Sequence, residues 1–185
     1  MIKILADSGC DIEESQAVAL GITVVPFTVR FGSEEYLDGF TLSHEQFFEK
    51  LVESSELPQT SQINEFTFES YFKKLTSDGD QVVAITISSQ LSGTHSCAVK
   101  AAKKFAGKVF VVDSLNACIG QRILVDYAVR LVKQGNLTAE QIAAELNAKK
   151  GKIQLLAVLD TLKYLRKGGR ISSVAAVAGE MLSIK

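Results

Sequence analysis

The sequence contains no tryptophan, two prolines, two histidines and three cysteines in 185 residues. Each scarcity excludes something. Cys10, Cys97 and Cys118 are odd in number, far apart and form no Cys-x-x-Cys pair, so no disulfide framework is encoded and reduced thiols are expected. His44 and His95 stand apart from each other and from any cysteine pair, which leaves a four-ligand zinc site without donors. An excess of charge of one sign is missing too. Twenty basic against 21 acidic side chains give a formal net charge of −1, without the global positive field that non-specific nucleic-acid binding needs. No apolar run approaches the roughly 18 residues of a membrane span. The best run, 155–159, reads as a buried strand. The start, Met1-Ile2-Lys3-Ile4-Leu5 with Asp7 close behind, has the form of neither a signal nor a transit peptide, so a cytoplasmic protein with at most transient membrane contact is expected.

What is present is a globular composition, 46% hydrophobic and 22% charged, long enough for one substantial domain or one domain and part of another. Residues 2–6, 82–87 and 109–112 are short apolar runs, each followed by a polar loop, as buried parallel strands are. Residues 23–31 form a further extended run interrupted by Pro26, which marks an edge strand or a bend, and residues 36–39 are extended or loop-like. Helices are expected after Asp11 as a cap and up to Gly21, after the capping box Ser43/Gln46, and over 64–75, where Phe68, Tyr71, Phe72 and Leu75 share a face. Others are expected after Thr94, over 118–133 up to Gly135, and after the capping box Thr138/Gln141 to about residue 149. The sequon-like Asn136-Leu137-Thr138 is read as part of that last helix start. Residues 57–62 read as a polar connector.

Strands alternating with helices predict an α/β fold, a largely parallel sheet with helices on both faces, over residues 1–150. Residues 151–185 are expected to begin a smaller second α/β domain, with a strand at 153–159, a short helix at 161–166, a break at Gly168-Gly169 and a helical stretch at 172–182. Thirty-five residues fall below the roughly 40 that an independent core needs, so this part must pack on something else.

In an open parallel sheet, ligands bind at the carboxyl ends of the strands. Three loops qualify: Asp7-Ser8-Gly9-Cys10-Asp11, the serine-rich segment from Ser88 and Ser89 to Ser92-Gly93-Thr94, and Asp113-Ser114. The second would open a helix with a hydroxyl, a glycine and free backbone N–H groups, which together suit an anion. The plain alternative makes Ser92 an N-cap and the other serines turn formers. Thr60-Ser61-Gln62 is a second hydroxyl cluster on another loop. Catalytic patterns are weak. Gly-x-Ser-x-Gly is absent around Ser92, and His95 need not face its hydroxyl. Gly168-Gly169-Arg170 follows a helix, whereas a phosphate loop follows a strand. Asp7, Asp11 and Asp113 suit caps and turns better than a metal.

Taken together, Asp7-Ser-Gly-Cys-Asp11, Val25-Pro26, Phe31-Gly32, Tyr36-Leu-Asp38-Gly39, Pro58-Gln-Thr60-Ser61-Gln62, Ile87-Ser88-Ser89-Gln-Leu-Ser92-Gly93-Thr94, Val112-Asp113-Ser114 and Leu162-x-Tyr164-Leu-x-Lys167-Gly-Gly-Arg170-Ile-Ser172 resemble the DegV family in order and spacing. The resemblance implies a bacterial two-domain carrier that holds one long-chain, palmitate-like fatty acid and uses no other cofactor. It implies a partner fatty acid kinase resembling dihydroxyacetone kinases, which phosphorylates the carboxylate with ATP for phospholipid synthesis. It assigns the carboxylate to Thr60 and Ser92, with Ser61, Gly93 and Thr94 beside them, and Arg170 to the kinase-facing head-group region. Asp7, Ser8, Ser89, Asp113 and Ser114 form a surrounding shell, and no residue is catalytic. Family members continue past the Gly-Gly-Arg-Ile-Ser motif through the rest of the second domain, which usually supplies a further histidine ligand. A C-terminally shortened member is therefore expected, with exposed apolar surface that favours self-association. The alternatives are a small-anion or phosphate module, and a shortened fragment that keeps only a protein contact.

Overall fold

Alternate residues of the first strand, β1 (Ile2–Asp7), enter two different cores, Ile4 and Ala6 one of them and Leu5 the other. This is what a strand covered on both faces requires, because successive side chains point to opposite sides of the sheet. The computed structural model describes residues 1–54 and 56–171. Over these, β1 lies between β2 (Thr23–Val25) and β6 (Gln81–Thr86), and β7 (Val109–Asp113) lies beyond β6, all parallel. Val83, Ile85 and Val112 join the first core and Val82, Ala84 and Val109 the second.

The first core is closed by α1 (Glu14–Leu20), α5 (Cys118–Gln134) and α6 (Ala139–Lys149), through Ala17, Leu124, Ala128, Ile142 and Leu146. The second is closed by α3 (Glu65–Leu75) and α4 (Thr94–Ala102), where Phe68 and Phe72 are fully buried and Ala98 and Ala101 keep the helix close to the sheet. The parallel sheet with helices on both faces is thus as the sequence predicts. Asn64 caps α3, the Ser43/Gln46 box opens α2 (His44–Glu53), the Thr138/Gln141 box opens α6, and Gly21 and Gly135 end α1 and α5 with φ of 72° and 70°.

Three expectations change within the first unit. The extended run 23–31 is two strands in two sheets, because Pro26 can donate no ladder hydrogen bond: β2 is the edge of the parallel sheet and β3 (Thr28–Phe31) starts another. The connector at 57–62 contains a strand, β5 (Gln59–Ser61), which pairs antiparallel with β3, as β4 (Glu34–Leu37) does on the other side. Val29, Phe31 and Leu42 form a small third core there, with Tyr36 and Phe47 against it. Glu13, not Asp11, caps α1 with Gln16, while Asp11 closes a short 3-10 turn at a φ of 53°.

The chain divides into two units, Met1–Gln154 and Leu155–Lys185. Residues 153–159 are not a strand: no ladder forms there among the described residues, and Leu156 and Val158 are 90% and 87% exposed. The second unit contains α7 (Lys163–Lys167), followed by Gly168 and Gly169, and the helix expected at 172–182 lies outside the described residues. Among the described residues no helix is long and apolar enough to cross a membrane.

Candidate functional site

The carboxyl ends of β1 and β6 lie side by side where the strand order turns, with the connection from β1 leading to β2 on one side and that from β6 to β7 on the other. Such a switch point opens a crevice in doubly wound sheets. Here two carboxylates from the flanking strands bind the loop between β6 and α4. Asp7, at the end of β1, accepts the N–H of Ile87 at 2.7 Å, and Asp113, at the end of β7, accepts that of Ser89 at 3.1 Å. Both groups are at least nine-tenths buried.

Those two contacts begin a series. Ser88 N–H donates to the carbonyl of Asn116, Gln90 N–H to the Ser88 hydroxyl, and Leu91 and Ser92 N–H both to the Ser88 carbonyl. Every amide from 87 to 92 therefore has a partner inside the protein. Free backbone donors, expected where Ser92-Gly93-Thr94 opens the helix, are therefore confined to residues after Ser92. Its backbone is a scaffold, and what it leaves available is the hydroxyl of Ser92 together with the first-turn amides of α4 beyond Thr94, whose own N–H donates to Oγ of Ser92. Ser92 does not supply the N-cap of that helix, which is Gly93 without a side-chain bond.

The second hydroxyl cluster is brought to the first. Ile63, two residues after β5, donates its N–H to Oγ1 of Thr94 at 3.2 Å, and Gln62 lies across the start of α4 with Nε2 3.5 Å from Sγ of Cys97. A β-carbon on Gly93 would stand 1.9 Å from Oε1 of Gln62, so the glycine is what lets that side chain lie there. Thr60 and Ser61 are exposed on the edge strand β5, and Ser92 is half-buried two residues before Thr94. Thr94, expected as a direct ligand, is fully buried, with its hydroxyl engaged by Ile63 and by Ser92, 2.9 Å away. It joins the two loops and has no surface to offer.

The surrounding residues hold the loops in place. Burial pushes the Asp7 carboxyl up to about 6, against hydrogen bonds from Ile87, Gln121 and Gly9 that favour the carboxylate. Ser8 accepts the N–H of Phe27 and donates to Asp38, tying the first loop to the antiparallel sheet. Ser114 is buried and exchanges hydrogen bonds with the backbone of Asn116. Burial also pushes Asp113 up, but bonds from Ser89 and Leu115 and the neighbouring His95 more than offset it, leaving it below the ordinary carboxylate range. Nδ1 of His95 pairs with Oγ1 of Thr86 at 2.9 Å, away from Ser92. Burial lowers its pKa, which Asp113 opposes and Lys150 reinforces. Arg170 belongs to the second unit, where its side chain donates to the Gly168 carbonyl at 2.6 Å.

Gln62 and Gln121 are the residues that sequence reasoning left out of the site. Gln62 stands inside the Thr-Ser-Gln motif, which was signal enough. Gln121 carried none: it is one of several polar residues in an amphipathic helix, yet fully buried, donating to Asp7 and to the Ile85 carbonyl.

The fold and these motifs have known counterparts. A DegV domain-containing protein of Deinococcus radiodurans is 36% identical over 184 residues, covering 100% of this chain and 65% of the relative. The solved structure of DegV from Bacillus subtilis, described as a fatty acid binding protein, superposes with a TM-score of 0.83 at 30% identity, covering 96% of this chain and 64% of that one. The Fatty Acid Kinase (Fak) B3 protein of Streptococcus pneumoniae, loaded with linoleic acid, superposes with a TM-score of 0.79 at 26% identity, covering 96% and 64%. The chain thus spans about 65% of the length of the curated relatives it matches. The family model described as "Uncharacterised protein, DegV family" matches residues 1–185 in full, and the chain belongs to the DegV family.

Proposed function

We propose that this chain binds one long-chain fatty acid by its carboxylate at the junction of β5 and the start of α4, and presents it to a partner kinase. The observation that carries this is the bond from Ile63 to Thr94, which draws the Thr60-Ser61-Gln62 edge to the Ser92-Gly93-Thr94 helix start. Exposed hydroxyls from β5, the Ser92 hydroxyl and the first-turn amides of α4 are all neutral donors. Such donors hold an anion without burying a counter-charge and leave an oxygen accessible to a phosphoryl donor. The solved structures of similar fold from Bacillus subtilis and Streptococcus pneumoniae are of fatty-acid-binding proteins, which supports the ligand class.

Thr60 and Ser92 contact the carboxylate, Ser61 and Gly93 line its approach, and Asp7, Ser8, Ser89, Asp113 and Ser114 fix the loops. Arg170 serves the kinase-facing side on the family pattern. The chain itself is a carrier, and the chemistry belongs to a fatty acid kinase resembling dihydroxyacetone kinases. The similarity to a protein of the Fak system supports that partner. The resulting acyl phosphate would feed phospholipid synthesis in a bacterial cytoplasm. A chain of palmitate-like length supplies most of the affinity, at about 0.8 kcal/mol for each CH₂ taken out of water. Exposed apolar side chains such as Leu156 and Val158 favour self-association of this 185-residue chain.

The test is native mass spectrometry of the purified chain, followed by denaturation and solvent extraction. A fatty acid at near one-to-one stoichiometry is expected. A chain that stays lipid-free when saturated with added palmitate would overturn the proposal.

A further inference from the structure

The hydroxyl pair Ser92 and Thr94 has its hydrogen-bond direction fixed by the atoms around it. Oγ1 of the buried Thr94 accepts the N–H of Ile63 at 3.2 Å. Its own proton needs an acceptor, and among the described residues the one within hydrogen-bond distance is Oγ of Ser92, 2.9 Å away. A buried hydroxyl left without an acceptor is costly, so Thr94 donates and Ser92 accepts. Ser92 Oγ also accepts the N–H of Thr94 at 3.3 Å. Both acceptor positions of Ser92 are then filled, and the capacity it keeps is its proton.

From this we infer that Thr94 is a positioning residue that turns Ser92 into a pure donor aimed at the ligand carboxylate. The inference rests on the fatty-acid reading above and deepens it. The chain Ile63 N–H to Thr94 O–H to Ser92 O–H is directional, and each bond polarises the next, so the terminal proton is a better donor than that of a solitary serine. The ligand must present an acceptor where it meets Ser92. A carboxylate does so with either oxygen, whereas an alkylammonium head group, with donors alone, is refused. The anchors on the preceding loop serve the same end: with the amides from 87 to 92 held internally, the backbone that carries Ser92 is fixed in place, and its hydroxyl is held by the two bonds from Thr94.

The experiment compares four variants of the full chain, Ser92→Ala, Thr94→Val, Thr94→Ser and the double Ser92→Ala/Thr94→Val. Stearate binding is measured by calorimetry and folding by circular dichroism and thermal melting. Ser92→Ala and Thr94→Val should each weaken stearate binding by about 3- to 10-fold, the range expected for one net hydrogen bond. Thr94→Ser, which restores the hydroxyl, should stay within about twofold of the natural chain. In the double variant the valine should add less than about twofold to the effect of the alanine, because Thr94 acts through Ser92. Fully additive losses, or a serine variant as weak as the valine one, would overturn the positioning role. Unchanged binding in Ser92→Ala would instead sink the fatty-acid reading of Ser92, and the inference with it. If Thr94→Val does not fold, the amide resonance of Ile63 decides. On saturation with stearate it should move downfield in the natural chain and in Thr94→Ser and stay in place in Ser92→Ala, and a resonance unmoved in the natural chain would refute the relay.

Discussion

The carboxylate of Asp7 accepts the backbone N–H of Ile87 at 2.7 Å, across 80 residues of sequence. With Asp113 doing the same for Ser89 from the other side, the loop that carries Ser92 is clamped between two strand ends. Its geometry is therefore set before any ligand arrives, and four measurable consequences follow from the clamps and from the junction they support.

Asp7 makes the fold sensitive to mild acid in an unusual direction. Burial raises its pKa from 3.8 to about 6, so the folded state favours the protonated acid. The stability this contributes is fully present below pH 3.8 and is lost as pH rises through about 6. At about 1.4 kcal/mol per pH unit the swing is about 3 kcal/mol. Urea unfolding of the natural chain and of Asp7→Asn should show the natural chain gaining about 2 to 3 kcal/mol on the variant between pH 7 and pH 4. A pH-independent difference would mean that Asp7 does not titrate in this range.

Gly93→Ala tests the close approach of Gln62. The new β-carbon would meet Oε1 of Gln62 at 1.9 Å, but the glutamine is exposed and can swing away, and Gly93 has a φ of −69° that alanine tolerates. Stability should change by less than about 1 kcal/mol in thermal melts. Fatty-acid affinity measured by calorimetry should fall, because the displaced carboxamide reorganises the junction. A large loss of stability would show that Gln62 cannot move.

Thr60 lies exposed on β5, so Thr60→Ala should leave the melting temperature unchanged and weaken fatty-acid binding by about 0.5 to 1.5 kcal/mol, one net hydrogen bond. Unchanged affinity in Thr60→Ala, in Ser92→Ala and in the double variant would remove the carboxylate from this junction.

His95 reports on the other clamp. Burial holds its pKa below 6.5, the Asp113 carboxylate partly restores it and Lys150 depresses it further. Proton NMR titration of the imidazole, assigned with a His44→Gln variant, should give a lower pKa in Asp113→Asn and a higher one in Lys150→Met. Shifts in the opposite directions would place these charges elsewhere.

The elements most legible in the sequence are those made by neighbours along the chain. Apolar runs at β1, β6 and β7, the two capping boxes and the apolar face of α3 are short-range patterns, and the family motifs pointed to the loops at the strand ends. β5 was not legible. Three polar residues become a strand there because β3 offers a partner edge, and nothing within Gln59–Ser61 announces that edge.

The sequence alone determined a doubly covered parallel sheet, its helices and the identity of the two hydroxyl clusters, because hydrophobic periodicity and capping act within a few residues. Only the tertiary structure decided that the amides from 87 to 92 are all held internally, that Pro26 divides one extended run between two sheets, and that Thr94 faces inward while Ser92 faces out. The first and last of those outcomes depend on hydrogen bonds with Asp7, Asp113, Asn116 and Ile63, and such partners are chosen by how strands stack in space. A buried donor takes whichever acceptor the fold brings to it, and sequence distance carries no information about which one that is.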